Sequence, residues 1–203
     1  MAQPPVRADD PRFQLVPASA QAQGLLFALT VVLPLVLVLV LPQAGLDANG
    51  PAIAADNPVM LKLKASLFLL AGLSALFVVL WLLMRRHRLF LNAAGLEVST
   101  TFYRRRLAWP QLRVEDARIV SLGERPELRP ALKSNGYALP GFRSGWFRTR
   151  ALAKVLAATA GGDRVLWVPT TEGYDLLLEP RNLQATLQRM RELATMAPRG
   201  PAG

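Results

Sequence analysis

The sequence predicts an α+β fold: two transmembrane helices, then an antiparallel β-barrel or bent sheet under a C-terminal capping helix. Three observations lead there. The first 84 residues hold two uncharged apolar runs, short alternating segments begin at Leu89, and one amphipathic pattern closes the chain. Charge divides the chain at the same place. Of 24 Lys+Arg and 14 Asp+Glu, 4 of each sign lie in residues 1–84, so the formal +10 belongs entirely to residues 85–203. A hydrophobic share of 52% excludes a disordered chain, since disorder needs few apolar residues. The absence of cysteine excludes disulfides, thiolate nucleophiles and Cys-based metal sites, and a single histidine leaves little metal or acid–base chemistry.

The runs at 24–41 and 65–84 are uncharged over 18 and 20 positions. A hydrocarbon core of about 30 Å needs about 20 residues at 1.5 Å rise, and neither run has the polar stripe of a soluble core helix. They form a membrane hairpin over 24–84. Pro34 should kink the first helix. A competing reading of that run is a signal peptide cleaved near Ala52-Ile53-Ala54, although 23 residues precede the run. Arg7, Arg12, Arg85, Arg86, Arg88 and Arg104 flank the pair and only Lys62 and Lys64 lie between the spans, so both termini face the cytoplasm in a multi-pass protein of the inner membrane. Arg85, Arg86 and Arg88 are thereby topology signals. Residues 42–64, rich in Gly, Asn and Pro, form a short external loop; residues 1–23 read as a disordered cytoplasmic tail and 198–203 as a second tail.

Residues 89–197 form the cytoplasmic domain. Leu89 and Leu91, then Leu96, Val98 and Thr100, alternate with polar residues around an Asn92–Gly95 turn, which is a hairpin pattern. Further strand-like segments are Arg105–Trp109, Arg113–Leu122, Leu152–Ala160, Arg164–Val168 and Gly173–Leu178; Gly161-Gly162-Asp163 is expected to turn between two paired strands. After Pro180, the residues Leu183, Leu187, Met190 and Ala194 share one helical face, with Arg181, Gln184, Gln188, Arg189 and Arg191 away from it. Pro180 suits the first helical position and Asn182 is a competing cap.

The stretches Gly136-Tyr137-Ala138-Leu139-Pro140-Gly141-Phe142, Gly145-Trp146-Phe147, Val168-Pro169-Thr170 and Gly173-Tyr174-Asp175-Leu176-Leu177-Leu178, with GLEVSTTFYRRRLAWPQL upstream, resemble the bacterial pleckstrin-homology-like domain family that follows membrane hairpins. The resemblance covers about 105 residues. It implies a seven-stranded, strongly bent sheet with a helix over one opening, and does not imply an enzyme. The first hairpin turn, Asn92-Ala93-Ala94-Gly95, lacks the Lys-x(n)-Arg signature of phosphoinositide-binding members.

Two groups of residues are candidates for function. Arg104, Arg105 and Arg106 could meet anionic lipid headgroups, at about 1 kcal/mol each, or form the solvated face of an edge strand. Tyr137, Phe142, Trp146 and Phe147 could form a partner-binding surface or belong to the core. The stretch Gly136–Gly145 lacks both phosphate-loop fingerprints. Asp175 and Glu179 have no partner acid or nucleophile, and His87 alone is no metal site. No catalytic residue, metal site or cofactor is indicated. The function expected is a membrane-anchored, non-enzymatic scaffold or adaptor that binds a protein or peptide partner or the anionic inner-leaflet surface. The alternatives are a membrane-tethered nucleic-acid-binding module, for which the scattered basic residues supply no fingerprint, and a membrane enzyme of unknown type. Partner identity and oligomeric state are not encoded in any motif.

Overall fold

A computed structural model describes residue 10 and residues 13–40 and 58–197. The expected external loop lies outside the described residues up to position 57, as do the Ala52-Ile53-Ala54 triplet and the tail 198–203. The chain divides into two compact units, one being Gln23–Leu82 and the other formed by the described residues up to Ala22 together with those from Leu83 on.

The first unit is helical. Helix α1 (Ala20–Phe27) passes through a π-helical turn (Ala28–Val32) into α2 (Leu33–Val40), and α3 runs Pro58–Met84. The π turn directly precedes Leu33-Pro34, where the sequence predicted a kink. Proline offers no N–H and its ring crowds the carbonyl four residues back, and the turn before it is widened so that the Leu33 N–H donates to the Ala28 carbonyl, five residues away. Within the unit, Phe27 meets Phe77 edge-on at 5.3 Å and the Trp81 Nε1–H donates to Gln23 Oε1 at 3.1 Å. Moving four residues forward on one helix and four back on the other keeps contact, so the two helices pair antiparallel. Among the described residues one helix, Ser66–Met84, is long and apolar enough to cross a membrane; Ala20–Val36 is a shorter apolar helix, so the second expected span is not supported by length. Helix α3 begins at Pro58, a residue suited to the first helical position, which moves Lys62 and Lys64 from the expected loop into the helix.

The second unit is α+β, with nine strands in two sheets and a C-terminal helix. Strands β1 (Arg88–Asn92), β2 (Gly95–Ser99) and β3 (Arg104–Ala108) form an antiparallel sheet in that order. Strands β4 (Arg118–Ser121), β5 (Pro130–Leu139), β6 (Phe142–Thr149), β7 (Lys154–Thr159), β8 (Arg164–Pro169) and β9 (Asp175–Leu178) form the other, ordered β4-β8-β9-β7-β6-β5. This corrects the single seven-stranded sheet that the resemblance implied. The break comes at Trp109–Gln111, where a 3-10 turn holding Pro110 ends β3. The Gly161–Asp163 turn does not join paired strands either: β9 lies between β7 and β8, parallel to β7 and antiparallel to β8. Leu176, Leu177 and Leu178 are all buried, and a strand with apolar residues on both faces belongs inside a sheet.

The main core lies between the sheets, with Leu89, Leu91, Leu96, Val98 and Leu107 from one and Leu156, Leu166, Val168, Leu176 and Leu178 from the other. A smaller cluster, including Phe147, Val155, Val165 and Leu177, covers the other face of the six-stranded sheet. Helix α4 (Leu183–Met196) packs against β1, β4 and β8, and so against both sheets, through Leu187, Met190 and Leu193. Asn182 is its cap, its side chain accepting from the Ala185 N–H at 2.9 Å, while Pro180 instead bridges to Leu15. Arg191, expected to face away, donates to the Ala117 carbonyl at 3.2 Å.

The expected disordered tail is corrected over its described residues from Phe13 on. Phe13 and Leu15 are buried in the main core, the Val16 N–H donates to the Glu179 carbonyl at 2.8 Å, and the Arg181 N–H donates to the Gln14 carbonyl at 2.9 Å. Two apolar side chains and two main-chain bonds give this short segment enough contact to offset its ordering.

Candidate functional site

Strand register brings together residues that the sequence separates. Arg88 lies opposite Ser99 on β2, and Ser99 lies opposite Arg104 on β3, so all three share one end of the small sheet. The β2–β3 loop, residues 100–103, projects from that end. Its Phe102 is 51% exposed, and Arg85 and Arg86 are exposed just before β1. An exposed phenyl ring at the strand end that carries Arg88 and Arg104 is a pairing that suits a polar–apolar boundary, where a ring enters the apolar side and guanidinium groups remain among anions.

The loop is fastened to the chain that leaves α3. The Thr101 N–H donates to Ser144 Oγ at 2.8 Å, and the same oxygen lies 2.6 Å from His87 Nε2. One hydroxyl has a proton and two lone pairs, enough to serve both neighbours. The His87 ring packs on Phe142 at 4.7 Å. A serine and a histidine at this distance could suggest nucleophile and base, but Ser144 is fully buried and His87 Nδ1 has no partner among the described residues to orient the ring, so the arrangement is a clamp.

Burial lowers the His87 pKa to about 4, because the charged imidazolium would lose its hydration. The folded state therefore binds this proton less readily than the unfolded chain, whose histidine titrates near 6.5. Stability from this group is complete above about pH 6.5 and falls as pH drops toward 4, by up to about 3 kcal/mol. Melting curves between pH 7.5 and 4.5 should show His87→Gln losing less stability on acidification than the parent. Parallel pH profiles would remove His87 from the acid response.

The three candidate lipid-binding arginines do not form one patch. Side chains alternate along a strand, so Arg104 and Arg106 take one face and Arg105 the other. Arg104 and Arg106 both pair with Glu97 on β2, the latter at 2.6 Å, and these two guanidiniums, Arg104 first, hold the Glu97 carboxyl below its ordinary range. β3 is an edge of its sheet, as the edge-strand reading expected. An open depression of about 510 Å³ toward the far end is lined by Asn92, Gly95, Glu97, Arg106 and Gln111. Arg105 instead lies over the Trp146 ring, 5.5 Å from its centroid.

The four aromatics proposed as a partner surface are largely interior. Phe142, Phe147 and Trp146 are 0%, 2% and 8% exposed, so in this fold none presents an aromatic face to a partner; Tyr137 is half-buried against Phe142. Tyr137, Phe142, Trp146 and Phe147 lie on the β5–β6 hairpin, which turns at Pro140-Gly141. Asp175 accepts from Trp167 Nε1 at 3.0 Å and Glu179 from the Ala160 N–H at 2.7 Å, which gives both acids structural roles. Among the described residues no group of His, Asp and Glu could hold a metal ion. The sequence marked Tyr103 only as the neighbour of Arg104–Arg106 and Tyr174 only within the Gly173–Leu178 stretch; Phe102, Ser144 and Lys154 were not singled out, and of these only Phe102 had a local signal, the alternation that runs into Arg104–Arg106.

Comparison with protein-family models, curated proteins and solved structures finds nothing that matches this chain.

Proposed function

We propose that the chain is a membrane-anchored, non-enzymatic binding domain of the pleckstrin-homology-like kind, whose β2–β3 end faces the anionic inner leaflet. One observation carries the reading: exposed Phe102 shares a strand end with Arg88 and Arg104, and only three residues separate Arg88 from the apolar helix ending at Met84. The surface of that helix supports it, since 6% of the Ser66–Met84 window is buried, whereas a soluble core helix would be mostly covered. The antiparallel pairing of α3 with α1 fits a hairpin whose two ends lie on one side, and the flanking arginines favour the cytoplasmic side. Tethering makes recruitment unnecessary, so lipid contact would orient the domain rather than bring it to the surface. The test is the bilayer depth of a label at position 102, which should exceed that of labels at other exposed apolar positions.

A further inference from the structure

Trp146 stands apart from the other three tryptophans. The indole N–H of Trp81 donates to Gln23, that of Trp109 to the carbonyls of Asn92 and Ala93, and that of Trp167 to Asp175. Trp146 Nε1 has no acceptor among the described residues, and it is not one of the sealed, unpartnered polar atoms, so solvent reaches it. The cations and hydroxyls that surround this ring can all donate. Lys154 Nζ is 4.6 Å and Arg105 Cζ 5.5 Å from the ring centroid, and neither cation has a carboxylate partner among the described residues. Tyr174 and Tyr103 meet the indole edge-on at 4.8 and 6.2 Å, and neither hydroxyl has a partner there. Arg105 and Glu172 both act on Tyr174, but the Glu172 carboxylate already accepts from Gln111 Nε2 at 2.8 Å.

The two cations share one ring, so they stand no more than about 10 Å apart, a range over which like charges repel with only partial screening. Stacking on an indole favours each cation but supplies no negative charge to either. From two unpaired cations, a free indole N–H and two free hydroxyls, we infer that this cluster binds a phosphomonoester. Its dianion matches the two charges, and its three terminal oxygens accept the hydrogen bonds that the protein leaves unfilled. The phosphate could be carried by a soluble molecule or by a lipid headgroup. The inference is independent of how the β2–β3 end meets the membrane.

The experiment uses the full chain in nanodiscs. In neutral phosphatidylcholine discs, calorimetric titration with glycerol 3-phosphate reads the soluble source; discs doped with phosphatidic acid, compared with equal phosphatidylglycerol, read the lipid source. The double variant Arg105→Gln, Lys154→Gln should weaken phosphomonoester binding at least tenfold. Trp146→Phe, which keeps the ring contact but removes the N–H, should weaken it several-fold, and Arg106→Gln, whose charge is answered by Glu97, should leave it nearly unchanged. Binding in either arm that is lost in the double variant supports the site and identifies the source. Equal binding by parent and double variant, or no phosphomonoester binding in either arm, overturns it. Because Arg105 and Lys154 are exposed, unaltered near-ultraviolet circular dichroism should accompany the loss and separates it from misfolding.

Discussion

Leu187→Asp should unfold the β domain. Leu187 is 6% exposed on the face of α4 that closes the main core, and burying its side chain is worth about 1.5–3 kcal/mol. A carboxylate in its place forfeits that gain and loses its hydration without a partner, a further cost of several kcal/mol. Together these approach or exceed the roughly 5–15 kcal/mol that hold a domain folded. Near-ultraviolet circular dichroism of the full chain in detergent should flatten and proteases should cut within residues 89–197. The neighbouring exposed Gln188→Asp should keep the parent spectrum. A Leu187→Asp protein with the parent spectrum and protease pattern would show that α4 does not pack as described.

Gly145→Ala should be severely damaging for a change of one methyl group. Gly145 lies opposite Gly136 in the β5–β6 hairpin and has φ +119°, a region that side chains disfavour. A Cβ there would stand 2.7 Å from the Asn135 carbonyl oxygen and 2.7 Å from the Gly136 Cα, both backbone atoms that cannot turn aside. Backbone strain of about 1–3 kcal/mol and a similar cost for forced displacement place the loss at about 3 kcal/mol or more. Denaturant titration should show the midpoint falling, with Ala158→Gly on the facing strand as a comparison that relieves no clash. An unchanged midpoint for Gly145→Ala would mean that the two strands do not approach this closely.

The glycine pair also shows where sequence reading ran out. Gly136 and Gly145 carry no strand signal, because glycine usually marks turns, whereas here each removes a Cβ so that two strands can approach. The first hairpin was legible because Asn92 announces itself: its side chain accepts from the Ala94 and Gly95 N–H groups across the turn. The helix face Leu183, Leu187, Met190 was legible from its 3.6-residue period. The position of β9 was not, since a run of leucines buried on both faces has no period and does not name its neighbours. Docking of Phe13 and Leu15 was hidden by the prolines and charges around them.

The candidate sites divide in the same way. That Arg104, Arg105 and Arg106 would separate onto two faces follows from the two-residue period of a strand, once 104–108 is read as one. The surroundings of Arg105 do not follow: Lys154 and Tyr174 reach Trp146 only through the order of β6, β7 and β9, which local patterns do not encode. The link from Thr101 through Ser144 to His87 likewise joins three segments that only the folded sheets bring together.

The depth of residue 102 tests the central claim most directly. Because the sequence has no cysteine, Phe102→Cys, Leu132→Cys and Leu152→Cys each accept a single environment-sensitive fluorophore, and Leu132 and Leu152 are 58% and 61% exposed elsewhere in the β domain. The full chain in bilayers containing anionic lipid is then challenged with brominated lipid and with aqueous iodide. A β2–β3 end that faces the leaflet predicts strong quenching by brominated lipid and weak quenching by iodide at position 102, with the reverse at 132 and 152. A label at 102 that iodide reaches as freely as at 152, and that brominated lipid leaves bright, would contradict it.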